Sequence, residues 1–283
     1  MKTQTLENIS YFPGCSLATS AKENNQSLKK VCAHMGMRLQ ELNDWNCCGS
    51  SSAHSIRSDV AFHLACRNLS LAPKGRPLLV ACPSCILRLK SAHHRLKEDP
   101  AACEEYERRW GREPDLDLQI IHFFELMKAN GHLGSAPSEA LQGLKFAPYY
   151  GCMLAYPPQL RHENRYYGLM ENLLSHFGAE SLIWDYASRC CGTFLSVARP
   201  DVVTPMVNQI MQGAINAGAE CLVTACAMCH LNLEIRCNLK EKLPIFHFSE
   251  LLTLAYGLPL KKNWLTKHLV DPLPLLKQRR LVA

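Results

Sequence analysis

The apolar positions of this chain fall into short runs and helical stripes that alternate. Ile9 to Phe12 is a short apolar stretch that ends at Gly14-Cys15, and Phe146 to Tyr150 ends in the same way at Gly151-Cys152. Both read as strands. After each, the period lengthens. Leu28, Val31, Cys32 and Met35 recur at i, i+3, i+4 and i+7 before Gly36, while Leu169, Met170, Leu173, Leu174 and Phe177 do so before Gly178. These are amphipathic helices closed by glycine. Leu39 to Leu42 and Leu182 to Trp184 predict second strands, Asp59 to Leu71 and Val202 to Ala217 further helices, and Leu78 to Ala81 and Cys221 to Ala225 third strands followed by helical patterns. Each half therefore reads β-α-β-α-β-α, the pattern of a parallel α/β layer.

The two halves also repeat the same chemistry. Tyr11-Phe12-Pro13-Gly14-Cys15, Cys47-Cys48-Gly49, Ala81-Cys82-Pro83-Ser84-Cys85 and His122-Phe123-Phe124-Glu125-Leu126 are matched, in order and at similar intervals, by Tyr149-Tyr150-Gly151-Cys152, Cys190-Cys191-Gly192, Ala225-Cys226-Ala227-Met228-Cys229 and His247-Phe248-Ser249-Glu250-Leu251. The expected fold is α/β, two tandem duplicated domains with parallel sheets and the cysteine motifs at strand carboxyl ends. Its expected parts are residues 1–142, residues 143–260 and a basic C-terminal extension at 261–283. The seam falls between about Pro100 and Gly143, where charged sequence and the Gly/Pro/Ser-containing stretch Asn130 to Pro137 interrupt the pattern.

Composition narrows the setting. A length of 283 residues is ample for a core without covalent staples, and fifteen cysteines cannot all pair within one chain. Met1 to Ser10 carries one lysine and no apolar signal core, and the best apolar run, Leu251 to Leu260, stops at Lys261 and Lys262 short of the ~18 residues that a spanning helix needs. A cytoplasmic protein without a transmembrane segment is expected, with peripheral attachment to a membrane left open. The net charge of +6 is concentrated at the end, where Lys261, Lys262, Lys267, Lys277, Arg279 and Arg280 face one acid, Asp271. The nearly neutral body argues against a nucleic-acid partner. The tail, with Pro272 and Pro274, reads as a poorly structured extension, either merely solvated or able to dock on an acidic partner or an anionic membrane surface.

Three loops at the carboxyl edge of a parallel sheet can bring five cysteines together in each half: Cys15, Cys47, Cys48, Cys82 and Cys85, then Cys152, Cys190, Cys191, Cys226 and Cys229. Helix N-termini at that edge favour thiolates. Structural zinc and a cubane cluster each take four ligands, so five suits a multi-iron assembly better than a single ion. Zinc stays open for one half. Gly49 and Gly192 supply the bend that adjacent cysteines need to reach one object. Cys226-Ala227-Met228-Cys229-His230 also matches a haem-attachment pattern, and Cys82-Pro83-Ser84-Cys85 a thiol–disulfide redox pair, yet the repeat accounts for both. His122 and His247 are candidate proton donors, with a structural role the blander alternative. Cys32, Cys66, Cys103, Cys221 and Cys237 lie on helix or strand patterns and read as small buried side chains.

Gly-Cys, Cys-Cys-Gly and Cys-x-x-Cys, present twice, resemble the paired cysteine-rich domains of the B subunit of heterodisulfide reductase and its relatives from Tyr11 to about Leu252. The resemblance implies that each quintet named above binds a noncubane [4Fe-4S] cluster, and that the two clusters face one cavity in which a disulfide is reduced, or a dithiol, free or protein-bound, oxidised. It further implies a ferredoxin-like C subunit and a flavin-containing A subunit as partners. No ferredoxin cysteine run or Rossmann glycine fingerprint is present, which fits electrons arriving through another protein. The rival readings are an iron–sulfur subunit of a succinate or fumarate reductase and a zinc-stabilised interaction module without turnover.

Overall fold

The computed structural model describes residues 8–50, 53–130, 139–155, 166–259 and 264–282. The chain's first seven residues, most of the Asn130–Pro137 stretch, and Lys261 and Lys262 lie outside these. The first half runs β1 (Asn8–Phe12), α1 (Gly14–Ala18), α2 (Lys22–His34), β2 (Arg38–Glu41), α3 (Ala53–Ile56), α4 (Ser58–Ser70), β3 (Leu78–Val80), α5 (Pro83–Glu98), α6 (Pro100–Trp110), β4 (Ile120–Ile121) and α7 (Phe123–Asn130). The second runs β5 (Lys145–Tyr149), α8 (Gly151–Ala155), α9 (Leu169–Ser175), β6 (Glu180–Ser181), α10 (Pro200–Asn216), β7 (Cys221–Thr224), α11 (Ala227–Arg236), β8 (Ile245–His247) and α12 (Phe248–Ala255), followed by α13 (Leu273–Gln278).

Each half builds one four-stranded parallel sheet, in the orders β2-β1-β3-β4 and β6-β5-β7-β8. The expected α/β class and its duplication stand, and each sheet gains a fourth strand. Strands of two or three residues such as β4 and β8 leave no periodicity to read. In this order the chain reverses direction across the sheet between the first and third strands, so the loops after β1 and β3 part at the carboxyl edge and open a crevice. The same crevice opens between β5 and β7.

Two local outcomes differ from the hydropathy reading. Strand β6 lies before Leu182 to Trp184, because Pro148 has no N–H with which to continue the ladder from β5. The Pro148 carbonyl instead accepts a hydrogen bond from Trp184 Nε1 at 2.9 Å. The seam is also narrower than expected. Pro100 does not interrupt the pattern but occupies the first turn of α6, where a missing N–H costs nothing. Asp99 caps that helix by accepting the Ala101 N–H at 3.1 Å.

The halves pack reciprocally. Helix α2 of the first lies on α12 of the second, and α9 of the second lies on α7 of the first. Each half's early helix thus covers the other's last one. Phe248 stacks within 4.7 Å of Phe124 and 5.2 Å of Phe123, all three fully buried, and Ser27 Oγ meets Ser249 Oγ at 2.6 Å. One apolar cluster runs through both halves, and a second fills the space between α10, α11 and the second sheet.

The C-terminal segment is not the loose extension that its charge and prolines predict. Trp264 and Leu276 are buried, and Arg279 pairs with Glu220 at 2.6 Å. His268 sits between Glu250, 3.2 Å from its Nε2, and Glu234, 3.3 Å from its Nδ1, the latter an ion-pair contact without hydrogen-bond alignment. Two apolar anchors and one buried cation outweigh the tendency of a basic, proline-containing segment to stay in solvent.

Candidate metal centre

All ten motif cysteines lie at the carboxyl edges of the two sheets. Cys15 follows β1 in α1, Cys47 and Cys48 lie in the loop after β2, Cys82 is the residue before α5, and Cys85 is in the first turn of that helix. Cys152, Cys190, Cys191, Cys226 and Cys229 occupy the equivalent places. The described residues include all fifteen cysteines, and every one is a free thiol.

The first quintet forms a chain of sulfurs. Cys15 Sγ is 3.9 Å from Cys47 Sγ, and Cys48 Sγ is 3.2 Å from Cys85 Sγ. Cys47 lies beside Cys48 and Cys82 beside Cys85, close enough for their thiols to perturb each other's ionisation. In the second half Cys191 Sγ is 3.4 Å from Cys229 Sγ, Cys190 accepts the Gly192 N–H at 3.3 Å, and Cys152 with Cys190 and Cys226 with Cys229 are close enough to perturb each other's ionisation. A further thiol–thiol interaction, Cys82 with Cys226, crosses between the halves. Two edges that belong to different sheets therefore converge on one locus.

Glycine makes the approach possible. A Cβ on Gly14 would stand 2.8 Å from Cys85 Sγ, and one on Gly151 would stand 3.3 Å from Cys229 Sγ. Both residues also hold positive φ, +74° and +66°, a region that L side chains rarely adopt. The glycine of each Gly-Cys motif is thus the space into which the last sulfur of its Cys-x-x-Cys fits.

Crowded thiols cannot all ionise. Hydrogen bonds from Cys47 and Cys85 pull Cys48 down to about 5, and one from Cys152 pulls Cys190 down to about 6. Cys85 is pushed well up because it donates to Cys48 and Cys82, and Cys229 because it donates to Cys191 and Cys226. A bound soft cation would let every sulfur ionise, since a coordinated thiol gives up its proton. The donor set fits such a group in number and kind: five sulfurs, met pairwise along the sheet edge rather than gathered around one point, exceed the four of a zinc tetrahedron and suit an assembly with several iron corners.

A small, mostly apolar cleft opens onto the second quintet. Pro83 and Ser84 of the first half line it together with Cys152, Cys190, Phe194 and Cys226 of the second. Cys15 and Cys190 are exposed, whereas Cys48, Cys82, Cys191 and Cys226 are buried. His54 meets Phe194 at 5.9 Å across the halves.

The histidines of the repeat lie elsewhere. His122 and His247 are fully buried, and burial pushes their imidazoles down to about 4 and about 3. Their backbone N–H groups donate to Glu125 and Glu250, His122 Nε2 reaches the Ala81 carbonyl at 3.2 Å, and His247 Nδ1 reaches Ser249 Oγ at 2.7 Å. The structure gives these rings the start of a helix to hold, with no face open to substrate. Cys32, Cys66, Cys221 and Cys237 are buried, while Cys103 is half-buried and donates to the Leu96 carbonyl at 2.9 Å.

Two polar residues near the quintets escaped sequence reasoning. Arg88 and Asn232 stand one helical turn beyond Cys85 and Cys229, at matching places in the repeat. Aligning the halves beyond their cysteines exposes the pair.

Comparison with known proteins gives a consistent picture. The cysteine-rich domain family CCG matches residues 9–90 and 146–234. The chain is 27% identical over 279 residues to the 8-methylmenaquinol:fumarate reductase membrane anchor subunit of Wolinella succinogenes, covering 94% of this chain and 98% of that one. It is 28% identical over 271 residues to the B subunit of the ferredoxin/F(420)H(2)-dependent CoB-CoM heterodisulfide reductase of Methanosarcina acetivorans, covering 89% and 90%. Among solved structures, a hypothetical protein from Helicobacter pylori superposes with a TM-score of 0.70 at 14% identity over 94% of this chain. The chain spans about half of that protein, 52%, and the likeness is one of fold.

Proposed function

We propose, from the premise that this chain belongs to the cysteine-rich domain family CCG and carries its domain twice, that it is the iron–sulfur subunit of a heterodisulfide reductase-like complex. The observation that carries the reading is the meeting of the two cysteine quintets: their sulfurs are chained within each half and linked across the halves through Cys82 and Cys226. Relatedness to heterodisulfide reductase B subunits over nine tenths of the chain supports it.

Cys15, Cys47, Cys48, Cys82 and Cys85 would hold one [4Fe-4S] cluster of noncubane type, and Cys152, Cys190, Cys191, Cys226 and Cys229 the other. Reduction of a disulfide takes up two electrons and two protons and leaves two thiols; the reverse oxidises a dithiol, with direction set by the potentials of partner and substrate. When bound, the clusters would supply one electron each. The chain's own contribution is placement. Its two sheets bring the quintets together at Cys82 and Cys226, and Pro83 and Phe194 give the cleft over the second quintet mostly apolar walls. Electrons would pass through a ferredoxin-like partner that in turn receives them from a flavin-containing one. Exposed Ile56 and Leu195 beside this region suit burial by a partner surface. Among the described residues no helix is long and apolar enough to cross a membrane.

The match along almost the whole length of the Wolinella protein favours a second reading, in which the same two clusters serve a fumarate reductase-type complex linked to a quinol. A fumarate-reducing flavoprotein that copurifies with this chain selects it.

Anaerobic iron and acid-labile sulfide analysis with electron paramagnetic resonance tests the central claim. The expected result is roughly eight irons per chain, with Cys48→Ala and Cys191→Ala each removing about half. Stoichiometric zinc without iron in fresh anaerobic protein overturns it.

A further inference from the structure

The two halves differ at one matched position beside the sulfurs. Cys85 and Arg88 are three residues apart on α5 and so share a face; Cys85 Sγ touches Cys48 Sγ at 3.2 Å. Cys229 and Asn232 have the same relation on α11, and Cys229 Sγ touches Cys191 Sγ at 3.4 Å. Asn232 Nδ2 donates to the Cys191 carbonyl at 2.7 Å. The first quintet therefore has a permanent cation where the second has a neutral amide.

The Arg88 charge is not quenched locally. Among the described residues no carboxylate forms an ion pair with it, and its buried Nε has no hydrogen-bond partner. Burial pushes its guanidinium down while the Cys48 sulfur pulls it back up. His54, on the loop side of the same quintet, is pushed down by burial and then by Arg88, so it adds no second charge. Near the second quintet Arg189 is exposed over the Tyr186 ring, where water and salt screen it, and Arg236, two turns beyond Cys229, is held away by its hydrogen bond to Ser196 Oγ at 2.9 Å. The buried cysteines at matched positions, Cys48 and Cys191, are equally enclosed at 2% exposure.

We propose, resting on the cluster reading above, that Arg88 makes the two clusters inequivalent, giving the first-half cluster the higher reduction potential so that it accepts an electron first. An added electron increases the negative charge of a cluster, and a nearby half-buried cation stabilises that reduced form. The asymmetry gives the pair an order of filling that the duplicated cysteines alone do not supply.

A potentiometric titration of the anaerobic holoprotein with dithionite, followed by paramagnetic resonance and visible absorption, tests this. Wild type should show two waves, and Cys48→Ala should remove the higher one. Arg88→Met should lower the higher wave alone, and Arg88→Lys should restore it. Full iron loading with both waves unmoved in Arg88→Met overturns the inference while leaving the cluster reading intact. Loss of the lower wave in Cys48→Ala also overturns it, and that assignment decides the matter even where Arg88→Met holds less iron. Absence of iron from the wild-type chain, seen in the metal analysis before any titration, overturns the cluster reading itself.

Discussion

Replacing His268 by alanine should release the C-terminal segment from the body. The His268 side chain is 2% exposed and lies between carboxylates that are each 3% exposed, Glu234 on α11 and Glu250 on α12. His230, Glu23 and Lys267 are the other ionisable groups lining this cavity. Burial pushes the imidazolium down, but the adjacent Glu234 and Glu250 carboxylates, the latter through a hydrogen bond, outweigh burial and lift His268 to about 10. Removing the one partner shared by two buried carboxylates costs about 3–5 kcal/mol. The rise of His268 from an ordinary value near 6.5 gives a similar order of magnitude, about 5 kcal/mol. If even ~3 kcal/mol falls on docking of the tail, the undocked population rises about 100-fold. Limited trypsin digestion at pH 8 reads this as faster cleavage after Lys267 and Lys277, since cleavage follows the open population when closing is fast. His268→Gln should behave similarly, and adding Glu234→Gln and Glu250→Gln to it should recover protection, because charge and not shape is the deficit. The pH dependence has a definite sign. A raised histidine contributes fully below about 6.5, and its contribution is lost as pH climbs toward 10. On the acid side, Glu234 is pushed up by burial but held at about 2 by the adjacent His230 and His268 rings, so its contribution fades as pH falls below 4.5 toward 2. Urea melts should therefore place maximal tail stability between those windows. Wild-type cleavage rates in His268→Ala would refute the reasoning.

Gly14→Ala should lose first-half iron and destabilise the fold by more than 1 kcal/mol, because the new methyl collides with Cys85 Sγ at a left-handed φ; Gly151→Ala, with more clearance at Cys229, should be milder, and iron content with urea melts separates the two. Phe248→Ala should cost about 3–5 kcal/mol and lower the unfolding midpoint of both halves together, since its ring packs on Phe123 and Phe124 from the other half. Two separated transitions, with the first half unmoved, would contradict the shared core. Cys32→Ala should keep full iron at a cost of about 1 kcal/mol, in contrast to Cys48→Ala, because Cys32 is enclosed by core residues away from the sheet edges.

Much of this protein was written in its linear order. Apolar runs ending in Gly-Cys and helical stripes closed by glycine fixed the strands and helices that carry the cysteines, and the repeat announced two α/β halves with five thiols each. Such features are local: a strand, a helix and the turn between them depend on residues a few positions apart. What the tertiary structure decided depends on partners distant in sequence. The crossing of Cys82 to Cys226, the exchange of α2 and α9 between halves, and the capture of His268 by Glu234 and Glu250 all follow from how two sheets meet. The tail misled because charge and proline content are visible in sequence, whereas the pocket that buries Trp264 and Leu276 exists only once the second half has folded. Arg88 stayed hidden for the same reason, since a lone arginine acquires meaning when folding sets it beside sulfur and withholds a carboxylate.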